Sequence, residues 1–356
     1  MYGILRVAAA IVVALLGLSG AGGPGATNPG TRPLSSGPSI QANQATALVP
    51  PSGDVFTGVS SGSASEFAGE VGKHPAIYGE FVNWGQSIHF AFNDAAAAHA
   101  LLMLHISTGQ GSPGHPVITP QAISRGAGDS YLLTLASLIA SHGKPVYIRL
   151  FPEMNNANNQ ASAYNLDGSF RGPAYSQTVF IAAWRRVVTV LRGGPVRTID
   201  AQLAALGQPP LNGISPGGSV ASSRISFVWT PETAGTPPIA GNDPANYYPG
   251  DAYVDWVGTD FYSKFPNFTG LDTFYKQFPN RPFAFGEWAI WGGDNPAFVN
   301  QLFAWVNTHK RVKIMVYNQG YITNGPFRLN EDPASARAIR TDLILPRFLA
   351  YTADWS

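Results

Sequence analysis

From about Val55 the chain alternates short runs rich in β-branched and aromatic residues with longer Ala/Leu-rich stretches whose apolar positions recur at helical spacing. This pattern predicts βα units built on a parallel sheet. Eight runs read as strands, at residues 56–60, 76–82, 100–106, 145–151, 225–229, 254–262, 282–288 and 312–318. Eight strands of this kind point to an α/β protein with a single closed (β/α)8 TIM barrel. Of the intervening helices, one is expected over 130–141, with Asp129 as its N-cap and Gly143 at its end, and another over 176–191, stopped by Gly193-Gly194-Pro195. The Gly/Pro/Ser stretch 208–223 suits neither element and reads as a loop inserted before strand five. No internal repeat and no second folded domain emerge.

Ahead of the barrel pattern the texture differs. Arg6, the apolar run 7–18 and the small residues Ser19, Gly20 and Ala21 read as a secretory signal peptide over 1–21. The run falls short of the roughly 20 apolar residues a membrane span needs, so a secreted, extracellular protein is expected, with an uncleaved signal anchor as the alternative. Residues 22–53 are Gly, Pro and Ser-rich, with too little bulky apolar surface to offset their ordering entropy, and read as a disordered linker. The barrel then occupies 54–356.

Composition narrows the function classes. Charged residues make up 12% of the chain, about half the usual share, so the surface must be polar through uncharged side chains, as in many extracellular proteins. A formal charge of +1 offers no long-range field for phosphates or anionic lipid, and nucleic acid is not an expected partner. The absence of Cys excludes disulfides, thiolate metal sites and a cysteine nucleophile. The His residues lack metal-ligand spacing, so neither metal nor cofactor is expected.

Parallel barrel strands are covered on both faces, which makes an ionisable residue within one informative. In strand four the two-residue period places Tyr147, Arg149, Phe151 and Glu153 on one face, with Glu153 at the C-terminal end. Strand seven delivers Glu287 to its own C-terminal end, and strand six adds Asp260 and Tyr262. Barrel enzymes draw their sites from such strand ends. Two glutamates there, amid many aromatics, match what glycoside hydrolysis needs: one carboxyl to protonate the leaving oxygen and one to attack or to activate water. A buried structural ion pair of Arg149 with a glutamate is the plainer alternative.

Several of these segments resemble glycoside hydrolase family 26, the clan A family of many β-mannanases. Phe151-Pro152-Glu153-Met154-Asn155 after Val146-Tyr147-Ile148-Arg149 is similar to that family's acid/base segment, and Phe285-Gly286-Glu287-Trp288 to its nucleophile segment. Ile118-Thr119-Pro120 to Gly126-Ala127-Gly128-Asp129 resembles the lead into strand four. Ile225-Ser226-Phe227-Val228-Trp229-Thr230-Pro231 resembles strand five, and Tyr253-Val254-Asp255-Trp256-Val257-Gly258 resembles strand six. Pro152 departs from the pattern, because family members usually carry His there. Proline cannot donate a hydrogen bond, so the contacts beside the acid differ and mannan specificity stays open.

The resemblance implies a retaining double displacement with Glu287 as nucleophile, Glu153 as acid/base and Tyr262 hydrogen-bonded to Glu287. Retention needs carboxyls roughly 5–5.5 Å apart, inversion about 6.5–9.5 Å. Glu153 is expected to hold its proton more tightly than Glu287. Sugar rings stack on aromatic planes, which makes Trp84, Trp229, Trp288 and Trp291 candidate subsite walls, with half of them expected in the core instead. His105, Arg149 and Asn155 are further candidate sugar contacts, and Asn155 and Asn156 either bind hydroxyls or shape the loop. The expected partner is a β-linked polysaccharide and the expected state a monomer. A β-mannan leads, with β-glucan, xylan or an exopolysaccharide as alternatives. A non-catalytic polysaccharide-binding barrel is the second reading, and an esterase, for which neither G-x-S-x-G nor clustered His is present, ranks last.

Overall fold

The computed structural model describes residues 48–109 and 116–355, so the expected signal peptide and most of the expected linker lie outside the described residues. Eight strands form where the pattern places them, their ends shifted by at most two residues: β1 (Val55–Ser60), β2 (Ile77–Asn83), β3 (Leu101–Ser107), β4 (Val146–Leu150), β5 (Ile225–Trp229), β6 (Trp256–Tyr262), β7 (Phe283–Ala289) and β8 (Val312–Asn318). Each pairs in parallel with the next, and β8 returns to β1 through Phe56–Ser60 against Ile314–Asn318, which closes the barrel. A two-residue strand, Phe348–Leu349, adds alongside the start of β1.

Alternation along the strands divides the apolar residues into two cores. On β4, Val146, Ile148 and Leu150 face the helical layer, whereas Tyr147 joins Ile77, Met103, Val228, Trp256 and Ile314 inside the barrel. Leu48, assigned to the linker from its surroundings in the sequence, belongs to this interior cluster. It is 2% exposed, and its carbonyl accepts a hydrogen bond from the Tyr147 hydroxyl, so the folded barrel reaches back to residue 48.

The helices follow their caps. Gln177–Leu191 starts after Ser176, whose hydroxyl accepts from the Val179 amide at 3.3 Å. The helix expected over 130–141 forms as Asp129–His142 and ends at Gly143 in the left-handed conformation, where glycine has no steric penalty. Asp129 does not cap it. Its carboxylate is instead drawn to Arg186 on the neighbouring helix, in a buried bidentate pair at 2.8 and 2.6 Å, a stronger partner than a lone backbone amide. The stretch 208–223 is irregular apart from Ser219–Val220, which pairs antiparallel with Gly194–Pro195.

Candidate active site

At the C-terminal end of β4 the backbone leaves the alternating pattern. Phe151 and Glu153 both take left-handed conformations, with φ of +47° and +49°, which costs a non-glycine residue on the order of 1–3 kcal/mol. The first of these turns Phe151 outward, against Trp84 and the Phe180 ring. Phe151 therefore does not share a face with Tyr147 and Arg149. The second brings Glu153 into the mouth of the barrel, where its amide donates to the Thr230 carbonyl at 2.8 Å, and Asn159 anchors its own carbonyl at 2.9 Å.

Strand β7 reaches the mouth by a different device. Against β6 its register runs Thr259 to Phe285 and then Asp260 to Glu287, so Gly286 is an extra residue. Such a bulge shifts every later side chain to the opposite face. Ala284 and Glu287, three positions apart, thus both point into the barrel. Gly286 also makes room for the guanidinium beneath it, since a Cβ there would stand 2.7 Å from Arg149 Nε.

Arg149 is wholly buried and organises the inner shell. Its guanidinium donates to Thr230 Oγ1 at 2.6 Å and His105 Nδ1 at 2.9 Å, and forms ion pairs with Glu287 Oε1 and Asp260 Oδ2. Glu287 Oε2 accepts from the Tyr262 hydroxyl at 2.5 Å and from Asn318 Nδ2 at 2.9 Å. Burial and the adjacent Glu287 charge push the Tyr262 hydroxyl well above its ordinary range, which keeps it a donor. His105 is 1% exposed, and burial and the Arg149 charge hold it well below its usual value, so it stays neutral and accepts at Nδ1.

Glu153 has a different environment. Asn156 Nδ2 reaches its Oε2 at 3.2 Å and Oε1 of Glu232 at 2.9 Å. Burial first, then the charges of Glu232 and Glu287, push Glu153 up to about 8, with Arg149 opposing. Burial also raises Glu232, to about 7, and raises Asp260 against the pull of its Arg149 partner. Four carboxyls around one guanidinium in so little water cannot all ionise.

The cavity these residues border measures about 580 Å³, within the range of small-ligand sites. Glu153, Glu287, Tyr262 and Trp291 all line it, so β4, β6, β7 and the loop after β7 converge as the strand-end reading requires. Trp291 stands edge-on to Tyr262, Phe265 and Phe327. The other three candidate tryptophans lie elsewhere. Trp229 occupies an outward position of β5, packed on Tyr248 and Phe278; the bulge sends Trp288 outward against Phe303 and Tyr317; and Trp84 packs on Tyr131 and Phe151. None of these three lines the cavity, because strand parity or the helical layer claims each one.

Arg149 and His105 lie beneath the cavity, too deep for direct contact with a sugar, and Asn155 is fully buried, bonding the main chain of Glu232. Sequence reasoning passed over Glu232, Asn318, Phe81 and Tyr321, all of which line the cavity. Glu232 carried the same signal as its partners, a carboxylate just past the end of a strand. Asn318, the last residue of β8, carried a fainter version of it.

No protein-family model and no curated protein sequence matches the chain. Among solved structures, its fold is similar to that of a Bacillus subtilis mannanase at 16% identity and TM-score 0.55, over 87% of this chain and 91% of that one. It is also similar to a modular endo-β-1,4-mannanase from Cellulomonas fimi, at 16% identity and TM-score 0.59, over 88% of this chain and 77% of that one. A family 26 β-mannanase from Bacteroides ovatus matches at 13% identity and TM-score 0.52, over 83% and 90% of the two chains. The (β/α)8 barrel is thus of the kind seen in glycoside hydrolase family 26 mannanases.

Proposed function

We propose that this chain is a secreted, retaining glycoside hydrolase of the family 26 mannanase type, acting as a monomer on a β-linked polysaccharide, with β-1,4-mannan the first substrate to try. The observation that carries the reading is the pairing of two glutamates from β4 and β7 in one cavity with opposite surroundings. Glu287 accepts from Arg149, Tyr262 and Asn318, whereas Glu153 accepts from the Asn156 amide and lies among the carboxyls of Glu232, Asp260 and Glu287. One is thereby equipped to attack and the other to give up a proton at the same pH.

In the first step Glu287 bonds to the anomeric carbon as the glycosidic bond breaks, and the Glu153 proton passes to the departing oxygen. In the second, Glu153 takes a proton from water, whose oxygen displaces Glu287 and frees the sugar. Arg149, Tyr262 and Asn318 hold the Glu287 carboxylate in place throughout. Trp291, Phe81 and Phe327 supply faces for the pyranose rings.

Digestion of mannan, mixed-linkage glucan and xylan, followed by reducing ends, tests the assignment. Turnover of at least one is expected, with Glu153→Gln and Glu287→Gln each lowering kcat by roughly 10²–10⁴-fold. Variants as active as the parent would sink it, and glycan binding without turnover on the whole panel would leave a binding protein instead. Proton NMR of the fresh product reads the anomer, and an inverted one excludes the double displacement.

A further inference from the structure

Glu232 plays no part in the double displacement, yet it shares the Asn156 amide with the acid, whose carboxyl also meets that of Asp260. Its position is fixed from behind, where Asn155 Oδ1 accepts from the Glu232 amide at 2.8 Å and Asn155 Nδ2 donates to the Glu232 carbonyl at 2.9 Å. The Asn156 side chain settles what faces it. Asn156 Oδ1 accepts from the backbone amide of Asn158 at 2.9 Å, and because a backbone N–H only donates, the oxygen must be on that side. The NH₂ group then points at two carboxyls together, Glu153 Oε2 and Glu232 Oε1.

We propose that Glu232 is a positioning residue for the acid: tied to Glu153 through the one amide of Asn156, its carboxyl keeps the proton on Glu153 until the leaving oxygen takes it. The proposal rests on Glu153 being the acid/base. The charged and titratable groups around the pair are Arg149 on β4, Asp260 and Tyr262 on β6 and Glu287 on β7, with His105 on β3 behind Arg149. Arg149 is engaged by Asp260 and Glu287, and among the described residues no Lys or Arg hydrogen-bonds either Glu153 or Glu232. Negative charge on one member of the pair therefore meets little compensation and opposes ionisation of the other. After burial, Glu232 is the largest influence holding Glu153 up. Hydrogen bonds from Thr236 and Asn156 favour the charged form of Glu232, and that charge opposes loss of the Glu153 proton.

The sign of the test follows. Replacing Glu232 by Gln keeps an acceptor for Asn156 and removes the charge, so Glu153 should lose its proton at lower pH. Two readouts on the full chain separate this from the activity assignment. The first is a ¹³C NMR titration of the glutamate side-chain carboxyl carbons, with Glu153 assigned from its loss in Glu153→Gln. The second is kcat/KM against pH on whichever glycan is cut.

In Glu232→Gln the Glu153 midpoint should fall by about one pH unit, and the alkaline limb of kcat/KM should move down with it. Glu232→Ala should move both in the same direction, which covers the event that one variant misfolds. A Glu153 midpoint unmoved in the folded variants overturns the proposal, as does a kcat reduced equally at every pH with the limb in place. If no glycan is turned over, the activity assignment falls while the NMR titration still decides the coupling.

Discussion

Glu153 and Glu287 carry the same functional group, and everything that distinguishes them comes from their neighbours. The raised position of Glu153 has a consequence for stability. Its folded-state value lies above that of an unfolded glutamate, so the folded protein binds this proton more tightly than the unfolded chain does. The stabilisation is complete below the unfolded value near 4.5 and is lost as pH rises toward about 8. Part of the side chain keeps an exposed edge, so the loss is on the order of 2 kcal/mol. Glu153→Gln, which cannot ionise, should match the parent in melting temperature at pH 4 and exceed it by roughly 5 °C at pH 9. Equal melting temperatures at both pH values would contradict the raised value. At this scale the sequence pointed to Glu153, Glu287 and Tyr262 because carboxylates at strand ends are unusual. It did not separate cavity tryptophans from core tryptophans, because an indole is at home in either place.

Two element-level irregularities bring the pair to one cavity, and neither follows from periodicity. The left-handed residues after β4 turn Phe151 out and Glu153 in, and the extra residue in β7 turns Glu287 in after Ala284. Strict alternation from Ala284 would have sent Glu287 into the helical layer, where an unpaired carboxylate would be costly. Gly286 at the bulge is the position most exposed to test. Gly286→Ala places a methyl 2.7 Å from the Arg149 guanidinium, which cannot retreat without loosening Glu287 and Asp260. A loss of about 1–3 kcal/mol in urea unfolding is expected, together with a fall in kcat. Gly69→Ala, in the helix Ala64–Val71 with open space around the position, should instead be neutral or stabilising by up to about 1 kcal/mol. The strands and helix ends were legible because β-rich runs, a Ser cap and a terminal Gly act locally. Asp129 was misread as a cap because its partner, Arg186, lies 57 residues away.

For the whole molecule, the barrel is a closed ring of parallel strands whose floor is sealed by a segment that precedes the first strand. Leu48 fills that floor among Phe56, Ile77 and Trp256. Leu48→Ala should leave a cavity there and cost about 2–4 kcal/mol, read as a lower unfolding midpoint in urea with little change in KM. A variant as stable as the parent would mean that the floor is not part of the cooperative core. Hydrophobic patterning by itself determined the number of strands, their order along the chain and the ends at which charged residues emerge, since burial on both faces dictates a period and a composition that can be read locally. The floor seal, the outward turn of three tryptophans, the wiring of Arg149 to four elements and the place of Glu232 beside Glu153 were decided only by the closed barrel. Each depends on residues far apart in the chain meeting in a low-dielectric interior, where a carboxyl's proton and an indole's packing are set by whichever neighbours the fold brings to them.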